Sequence, residues 1–281
     1  MNPLMNYLNQ LRRSTIGMVG WGIVASFVVI ALIAPIISPY NPYAISNAYL
    51  QHPSLLHLFG TNQEGQDLFS QNMYGTRIPL LVGSTAALVA VLMGLIIGLF
   101  SGYFGGILDE ILMRVTDFFL VVPAIVLMIV ISALIGGTLT NVILIIGGLS
   151  WPMTARVVRS MVLSIKEWPF VEVAKSSNGG SIYIMFKHIL PNVMPVVFAN
   201  AALSVANAIF TQSALVFIGV GDVTDLSWGN IMHFAYINGT ITAGIWWYMI
   251  PPGIFIVLLT VGFIFLSTSF ESIFNPRTRR I

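Results

Sequence analysis

The side chains that could carry out catalysis or bind a metal are few and scattered. The chain contains no cysteine, which excludes disulfides, cysteine-ligated zinc and thiol catalysis. Its histidines match no H-E-x-x-H or other ligand spacing, and no nucleophile has a plausible base nearby. The sequence also lacks a G-x-x-x-x-G-K-[ST] phosphate-binding loop. The histidines are His52, His57, His188 and His233. We therefore expect a chain that is not an enzyme, binds no metal or cofactor and cannot hydrolyse ATP alone.

A stripe of polar residues has a more regular spacing. Asn200, Ser204, Asn207 and Thr211 follow one another at steps of four, three and four, which places them along one side of a helix. They lie within an apolar stretch, where polar groups facing hydrocarbon would be costly. The stripe therefore predicts either hydrogen bonds to neighbouring helices or the lining of a translocation pathway, and both interpretations stay open.

The composition of the chain is that of a polytopic membrane protein. Of its 281 residues, 57% are hydrophobic and 8% are charged, whereas soluble domains carry roughly 25% charged residues. The apolar residues fall into blocks of about the 20 residues that a helix needs to cross a bilayer. These blocks are 16–37, 80–100, 118–135, 142–165, 193–219 and 245–270. The sequence thus predicts an all-α protein with six transmembrane helices, in contact with membrane lipid.

The positions of lysine and arginine predict the orientation, because these residues favour cytoplasmic loops. With the N-terminus inside, only Arg77 of the twelve basic residues falls outside. Both termini are then cytoplasmic, and the location is the cell membrane. The basic residues form no continuous stripe, so we expect no nucleic-acid partner. The predicted organisation is a cytoplasmic tail at 1–15, a retained first helix at 16–37, an extracytoplasmic segment at 38–79, and a five-helix core at 80–281 with a cytoplasmic loop at 166–191.

Several residues inside the apolar blocks predict helix packing and bending. Gly94, Gly98 and Gly102 are spaced four apart, which lets a neighbouring backbone approach within the bundle or at a subunit interface. Arg156 and Arg159 share one helical face, which must point into protein or water. Prolines favour kinks because each removes a backbone hydrogen bond. Those within the predicted spans are Pro123, Pro152, Pro195, Pro251 and Pro252.

The polar stretch EVAKSSNGGSIYIMFKHILPN, residues 172–192, separates two of the apolar blocks. Its pattern predicts a short helix, a turn at Asn178-Gly179 in left-handed backbone, and a second helix. Pro191 suits the first turn of the following span. A plain surface loop would need fewer residues, so we expect a protein partner. Its anchors would be Tyr183, Met185 and Phe186.

The same stretch resembles the EAA loop of permease subunits in ATP-binding-cassette importers. The match consists of Glu172-Val173-Ala174, the small residues that follow and Ile189-Leu190-Pro191, with Val173 and Asn178 as departures. The resemblance implies two coupling helices that dock into a cleft on a cytoplasmic ATPase subunit. The residues it assigns to coupling are Glu172, Ala174, Lys175, Asn178, Gly179, Tyr183, Phe186, Lys187 and Pro191.

Further matches resemble one branch of that family, the second (C-type) permease of dipeptide and oligopeptide importers. Asn62, Gln66 and Gln71 depart from the branch pattern, which has charged residues there. The matching segments are 60–77, 102–106, 109–110, 114–117, 151–159, 227–230, 246–247 and 275–277. The resemblance implies a type I importer architecture and a role as half of the translocation pathway.

The family also implies the partners. They are a second homologous permease, two ATPase subunits that use ATP and Mg²⁺, and an extracytoplasmic substrate-binding protein. Members of the branch carry dipeptides, oligopeptides, oligosaccharides or nickel complexes, so the substrate stays open. A secondary transporter is the alternative outside the family, and it would be expected to carry buried ionisable groups.

Overall fold

A computed structural model of the protein describes residues 14–221 and 225–274. Within these ranges the chain is helical, with no β-strand and one isolated bridge between Thr61 and Asp67. The α-helices are α1 Thr15–Ile37, α2 Leu68–Tyr74, α3 Arg77–Phe104, α4 Gly106–Val121, α5 Ala124–Ile135, α6 Leu139–Ile165, α7 Pro169–Ser176, α8 Ser181–Ile184, α9 Leu190–Ile218, α10 Trp228–Ile237 and α11 Ile250–Phe274. The predicted all-α class is confirmed.

Five stretches of the described chain are long and apolar enough to cross a membrane, and a bent pair of helices makes a sixth. The five are Thr15–Ile37, Leu68–Phe104, Leu139–Ile165, Ser181–Ile218 and Trp246–Glu271. The pair is α4 and α5, bent by 85°. The prediction of one helix over 118–135 is therefore wrong. Val122 adopts extended backbone before Pro123, because a proline disfavours helical geometry at the residue before it.

The other prolines act differently from Pro123. Pro152 and Pro195 lie inside the continuous helices α6 and α9. Pro251 and Pro252 fall in the first turn of α11, where a helix has no backbone partner for its N–H groups. Because these two prolines lie in the first turn, the predicted kink inside the last span is wrong, whereas the chain bends sharply at Pro123.

The bundle is held by close packing between α3 and α6, with α9 against both α3 and α11, and α1 against α11. A Cβ built on Gly94 would lie 2.5 Å from the Thr154 Cβ, and one on Gly98 would lie 2.5 Å from the Ala155 carbonyl oxygen. A Cβ on Gly102 would lie 2.8 Å from the Val162 Cβ. In this chain the three glycines therefore let α3 contact the backbone of α6.

The segment between α1 and α2 is irregular and folds onto the start of α2. The Asp67 carboxylate accepts hydrogen bonds from the Ser70 N–H at 2.7 Å and contacts the His57 Nδ1 at 2.9 Å. Nearby, the Gln66 Oε1 accepts from the Asn62 Nδ2 at 2.7 Å and from the Gln71 Nε2 at 2.6 Å. The three positions that depart from the family pattern thus form one neutral amide cluster.

The glycine contacts predict that Gly98→Ala destabilises the isolated chain. Helix propensity alone would favour alanine by about 1 kcal/mol, but the close Ala155 carbonyl should make the change cost about 1–3 kcal/mol through overpacking. Gly148→Ala in α6 is the matched control, because its Cβ would meet no atom within 4 Å. Thermal unfolding in detergent should show a lower midpoint for Gly98→Ala than for Gly148→Ala. Equal midpoints would contradict the packing argument.

Candidate functional site

The predicted helix–turn–helix lies between α6 and α9. Helix α7 begins with Pro169 at its first position, where a missing N–H costs nothing. It ends at Ser176, and Asn178, two residues later, has a left-handed φ of +60°, as predicted. The Gly179 N–H then donates to the Ala174 carbonyl at 3.1 Å, and a Cβ on Gly179 would lie 2.8 Å from that oxygen. Glycine is therefore favoured at position 179.

The second helix of the loop does not stop before the following span. Helix α8 passes through a π-helical turn, Met185–Ile189, directly into α9. Residues Ser181–Ile218 therefore form one helical element, and the predicted loop boundary at residue 191 falls inside it. Pro191 lies in the first turn of α9, as predicted, and is exposed. A π turn is rare and is often found at functional sites.

The inner side of the loop is part of the membrane core. Val171, Ile184, Met185 and Ile189 are at most 1% exposed and share one hydrophobic cluster with residues of α3, α6 and α9. Their partners are Val91, Leu99, Val158, Val162, Ile165, Val193 and Val197. The prediction that Met185 anchors a partner is wrong, because its side chain is fully buried in this cluster.

The outer side of the loop carries exposed apolar side chains, which we call the loop patch. Val173 and Ile182 are 66% and 67% exposed. The loop patch comprises Trp168, Phe170, Val173, Ile182, Tyr183 and Phe186. Glu172, Lys175 and Lys187 are also exposed and surround it with charge. Exposed apolar patches bordered by polar residues mark interaction sites.

His188 packs against loop-patch aromatics from both halves of the loop, and sequence reasoning assigned it no functional role. Its ring centroid is 6.4 Å from that of Phe170 in the first half of the loop and 5.5 Å from that of Tyr183 in the second half. The Lys187 Nζ lies over the Tyr183 ring at 4.9 Å. The aromatic residues of the stretch indicated an interaction surface. Their spacing did not show that the His188 ring packs against Phe170 in the first half of the loop and Tyr183 in the second half.

Ion pairs support the base of the loop. The Arg159 guanidinium donates two hydrogen bonds of 2.6 Å to the carboxylate of Asp109, which also accepts from the Ser101 hydroxyl. Arg156 pairs with Asp117 at 2.7 Å. Both arginines thus face α4, as their shared helical face predicted. Lys166 donates to the Gly102 carbonyl at 3.2 Å, so α3, α4 and α6 are tied together directly beside α7.

The residues of the polar stripe on α9 differ in their contacts: one bonds a neighbouring helix, and one is exposed as a pathway residue would be. The Asn200 Nδ2 donates to the Thr154 Oγ1 of α6 at 2.6 Å, which is a bond between helices. Ser204 and Thr211 are half-buried, and Asn207 is exposed. Asn207 has no hydrogen-bond partner in the described parts of the chain. It lies 17 residues, about 26 Å, along α9 from Leu190, well inside a candidate span.

These features define a multi-spanning membrane protein with a rigid loop that presents an apolar surface. Residues 94–280 match the family of binding-protein-dependent transport system inner membrane components. Residues 3–56 match the N-terminal TM domain of oligopeptide transport permease C. The chain belongs to the family of binding-protein-dependent transport system inner membrane components. It is therefore a multi-pass inner-membrane permease subunit of an ATP-binding-cassette importer and not an enzyme, as the sequence predicted.

Two curated relatives match almost the whole chain. The dipeptide transport system permease protein DppC of Bacillus subtilis is 34% identical over 274 residues, which cover 96% of this chain and 85% of the relative. The protein of the same name from Alkalihalophilus pseudofirmus is 32% identical over 283 residues, covering 99% and 91%.

The left-handed backbone at residue 178 predicts different results for two substitutions. Asn178→Gly should leave stability nearly unchanged, whereas the β-branched side chain of Asn178→Val should cost about 1–2 kcal/mol. Ser177→Val is the matched control, because Ser177 has a φ of −81° that valine adopts. Thermal unfolding of the three purified variants measures this. A midpoint for Asn178→Val equal to that of Ser177→Val would show that the turn does not need its left-handed residue.

Proposed function

We propose that the chain forms half of the translocation pathway of an ATP-driven importer of dipeptides or longer peptides. Its partners in this proposal are a second homologous permease, two cytoplasmic ATPase subunits that bind ATP and Mg²⁺, and an extracytoplasmic substrate-binding protein. The names of the two relatives, both dipeptide transport permeases, support the substrate class. The exposed loop patch on a buried base is the observation that carries the coupling role.

The loop patch is the docking surface for an ATPase subunit. Tyr183 and Phe186 are each 49% exposed and supply the aromatic anchors that protein interfaces favour. Glu172, Lys175 and Lys187 form a charged rim that fixes the register of docking. Ala174 packs, partly buried, against the core cluster beside this rim, and Asn178 with Gly179 makes the turn that brings α8 next to α7. Pro191 ends the surface at the start of α9.

The same loop transmits force to the membrane helices. Ser181–Ile218 is a single helical element, so a push on Phe186 moves α9 as a lever. The side chains of Val171 and Met185 are fully buried in the core shared with α3 and α6, which prevents the loop from sliding independently. Docking and release of the ATPase subunits therefore change the position of whole spans.

The pathway lies along the stripe of α9. The exposed amide of Asn207 in mid-span would be costly against lipid, so it faces water or the second permease. Ser204 and Thr211 extend this polar surface by one turn on either side. Asn200 holds the stripe in place through its bond to Thr154. A polar route suits a substrate that carries peptide bonds and charged ends.

Both chain termini and the loop patch are cytoplasmic in this proposal. The bias of lysine and arginine toward one set of loops supports this orientation, because all of the twelve basic residues except Arg77 then lie on the cytoplasmic side. The segment before α2 then faces outward, where the substrate-binding protein docks.

Docking through the loop patch predicts that Glu172→Arg combined with Phe186→Ala releases the ATPase subunits. The double change reverses a rim charge and removes an aromatic anchor, and truncation of such an anchor typically costs at least 2 kcal/mol, about a thirtyfold loss of affinity. Affinity purification of the tagged chain measures the ATPase that is recovered. The second permease should be recovered in full, since the loop patch does not bind it.

The matched control is Glu110→Arg combined with Ile107→Ala. These residues are also an exposed acid and an exposed apolar side chain, but they lie on α4, outside the loop patch. This control should retain the ATPase. Equal recovery of ATPase from both double variants would contradict docking at the loop patch.

The pathway role predicts that Asn207→Leu impairs uptake without preventing assembly. The change removes a polar group from the pathway while it leaves the inner face of α9 untouched, so we expect uptake to fall about tenfold. Uptake of a labelled dipeptide by cells and recovery of the intact complex are the two measurements. Asn238→Leu, at an exposed asparagine outside α9, is the control. Normal uptake by the assembled Asn207 variant would remove the pathway role.

A further inference from the structure

Arg77 is the one basic residue that the predicted topology places outside the cytoplasm, and its contacts give it a structural role. It begins α3, and its Nε donates to the Ala31 carbonyl of α1 at 2.8 Å. In an intact helix that carbonyl would accept from the N–H four residues later, but residue 35 is proline and has no N–H. Arg77 therefore supplies the donor that Pro35 cannot. The guanidinium also lies over the Tyr74 ring at 5.1 Å.

These contacts leave part of the Arg77 guanidinium unused. The Nε is engaged by Ala31, while Nη1 and Nη2 have no hydrogen-bond partner within residues 14–221 and 225–274. In the same ranges no carboxylate lies within 4 Å of it. Ala31 is six residues, about 9 Å, from the end of α1 at Ile37, so the cation lies near the end of a span. Because an unpaired charge is costly near hydrocarbon, the unused donors favour an anionic or polar partner.

A groove leads from Arg77 along the side of the bundle. It has a volume of about 450 Å³, is open to the surface, and lies between α1 and α3. Apart from Arg77, its lining residues are Val28, Ala31, Leu32, Leu80, Leu81 and Ser84. The Ser84 hydroxyl donates to the Leu80 carbonyl at 2.7 Å and adds no free polar group. The groove is thus lined by apolar side chains, with the Arg77 guanidinium as its one charged group.

We propose that this groove binds one glycerophospholipid. Its phosphate accepts hydrogen bonds from the Nη1 and Nη2 of Arg77, and one acyl chain lies against Leu32 and Leu81. The charge is complementary, because a guanidinium presents two parallel N–H donors that match a phosphate. The apolar lining matches an acyl chain and offers nothing to a polar ligand. The lipid covers the unused donors and seals the contact between α1 and α3 beside Pro35.

Binding of a defined lipid to the purified, detergent-solubilised transporter tests the proposal. The probe is a diacyl phosphatidylglycerol, and a diacylglycerol with the same chains but no phosphate is the comparison. Native mass spectrometry should show one retained phosphatidylglycerol per chain and no comparable retention of the diacylglycerol. Arg77→Gln should weaken retention about tenfold through loss of the charge-assisted pair, whereas Arg114→Gln, at another exposed arginine, should not change it.

Leu81→Trp provides a second test that leaves Arg77 and its bond to Ala31 in place. The larger side chain fills the groove and should displace the lipid, while Leu92→Trp, at a similarly exposed leucine of α3 outside the groove, should not. Unchanged retention in folded Arg77→Gln and Leu81→Trp would overturn the proposal. A disulfide between Leu81→Cys and a cysteine in the second permease would also overturn it, because a protein segment would then occupy the groove.

Discussion

Burial of the loop's inner side in the membrane core is the interaction on which the rest of the structure depends. Val171, Ile184, Met185 and Ile189 belong to the same apolar cluster as residues of α3, α6 and α9. Side chains in such a cluster are close-packed and transmit displacement. Because these residues are inside, their neighbours on α7 and α8 must be outside, and this creates the loop patch. One packing event thus provides both the proposed docking surface and its connection to the spans.

The base of the loop must be rigid for that connection to work, and two kinds of contact make it so. The glycines of α3 bring the backbone of α6 close, which places Lys166 within reach of the Gly102 carbonyl. The Arg159–Asp109 pair then ties α4 to α6 through two short, charge-assisted bonds. Removing one partner of a partly buried pair would leave an uncompensated charge, so neither residue is free to vary alone.

Much of the fold and part of the site could be predicted from the sequence, because the signals involved are local. The lengths of the hydrophobic blocks predicted five of the spans. The pair Asn178-Gly179 predicted the turn and its left-handed residue. The bend at Pro123 was expected as a kink, but its size depends on where α4 packs. Met185 was assigned to the wrong side because a large apolar residue suits a core as well as an interface, and only the packing against α3, α6 and α9 decides between them. The partners of Arg156 and Arg159 lie at least 39 positions away in the chain, beyond any local pattern.

In the proposed function, the loop patch lies on the cytoplasmic side and is covered by an ATPase subunit. The chain has no cysteine, so Ile182→Cys introduces a unique label at an exposed position of the loop patch. A membrane-impermeant maleimide should leave this cysteine unmodified in intact cells and modify it after permeabilisation, with protection when the ATPase subunits are assembled. Modification in intact cells, at the same rate with and without the ATPase subunits, would contradict the account.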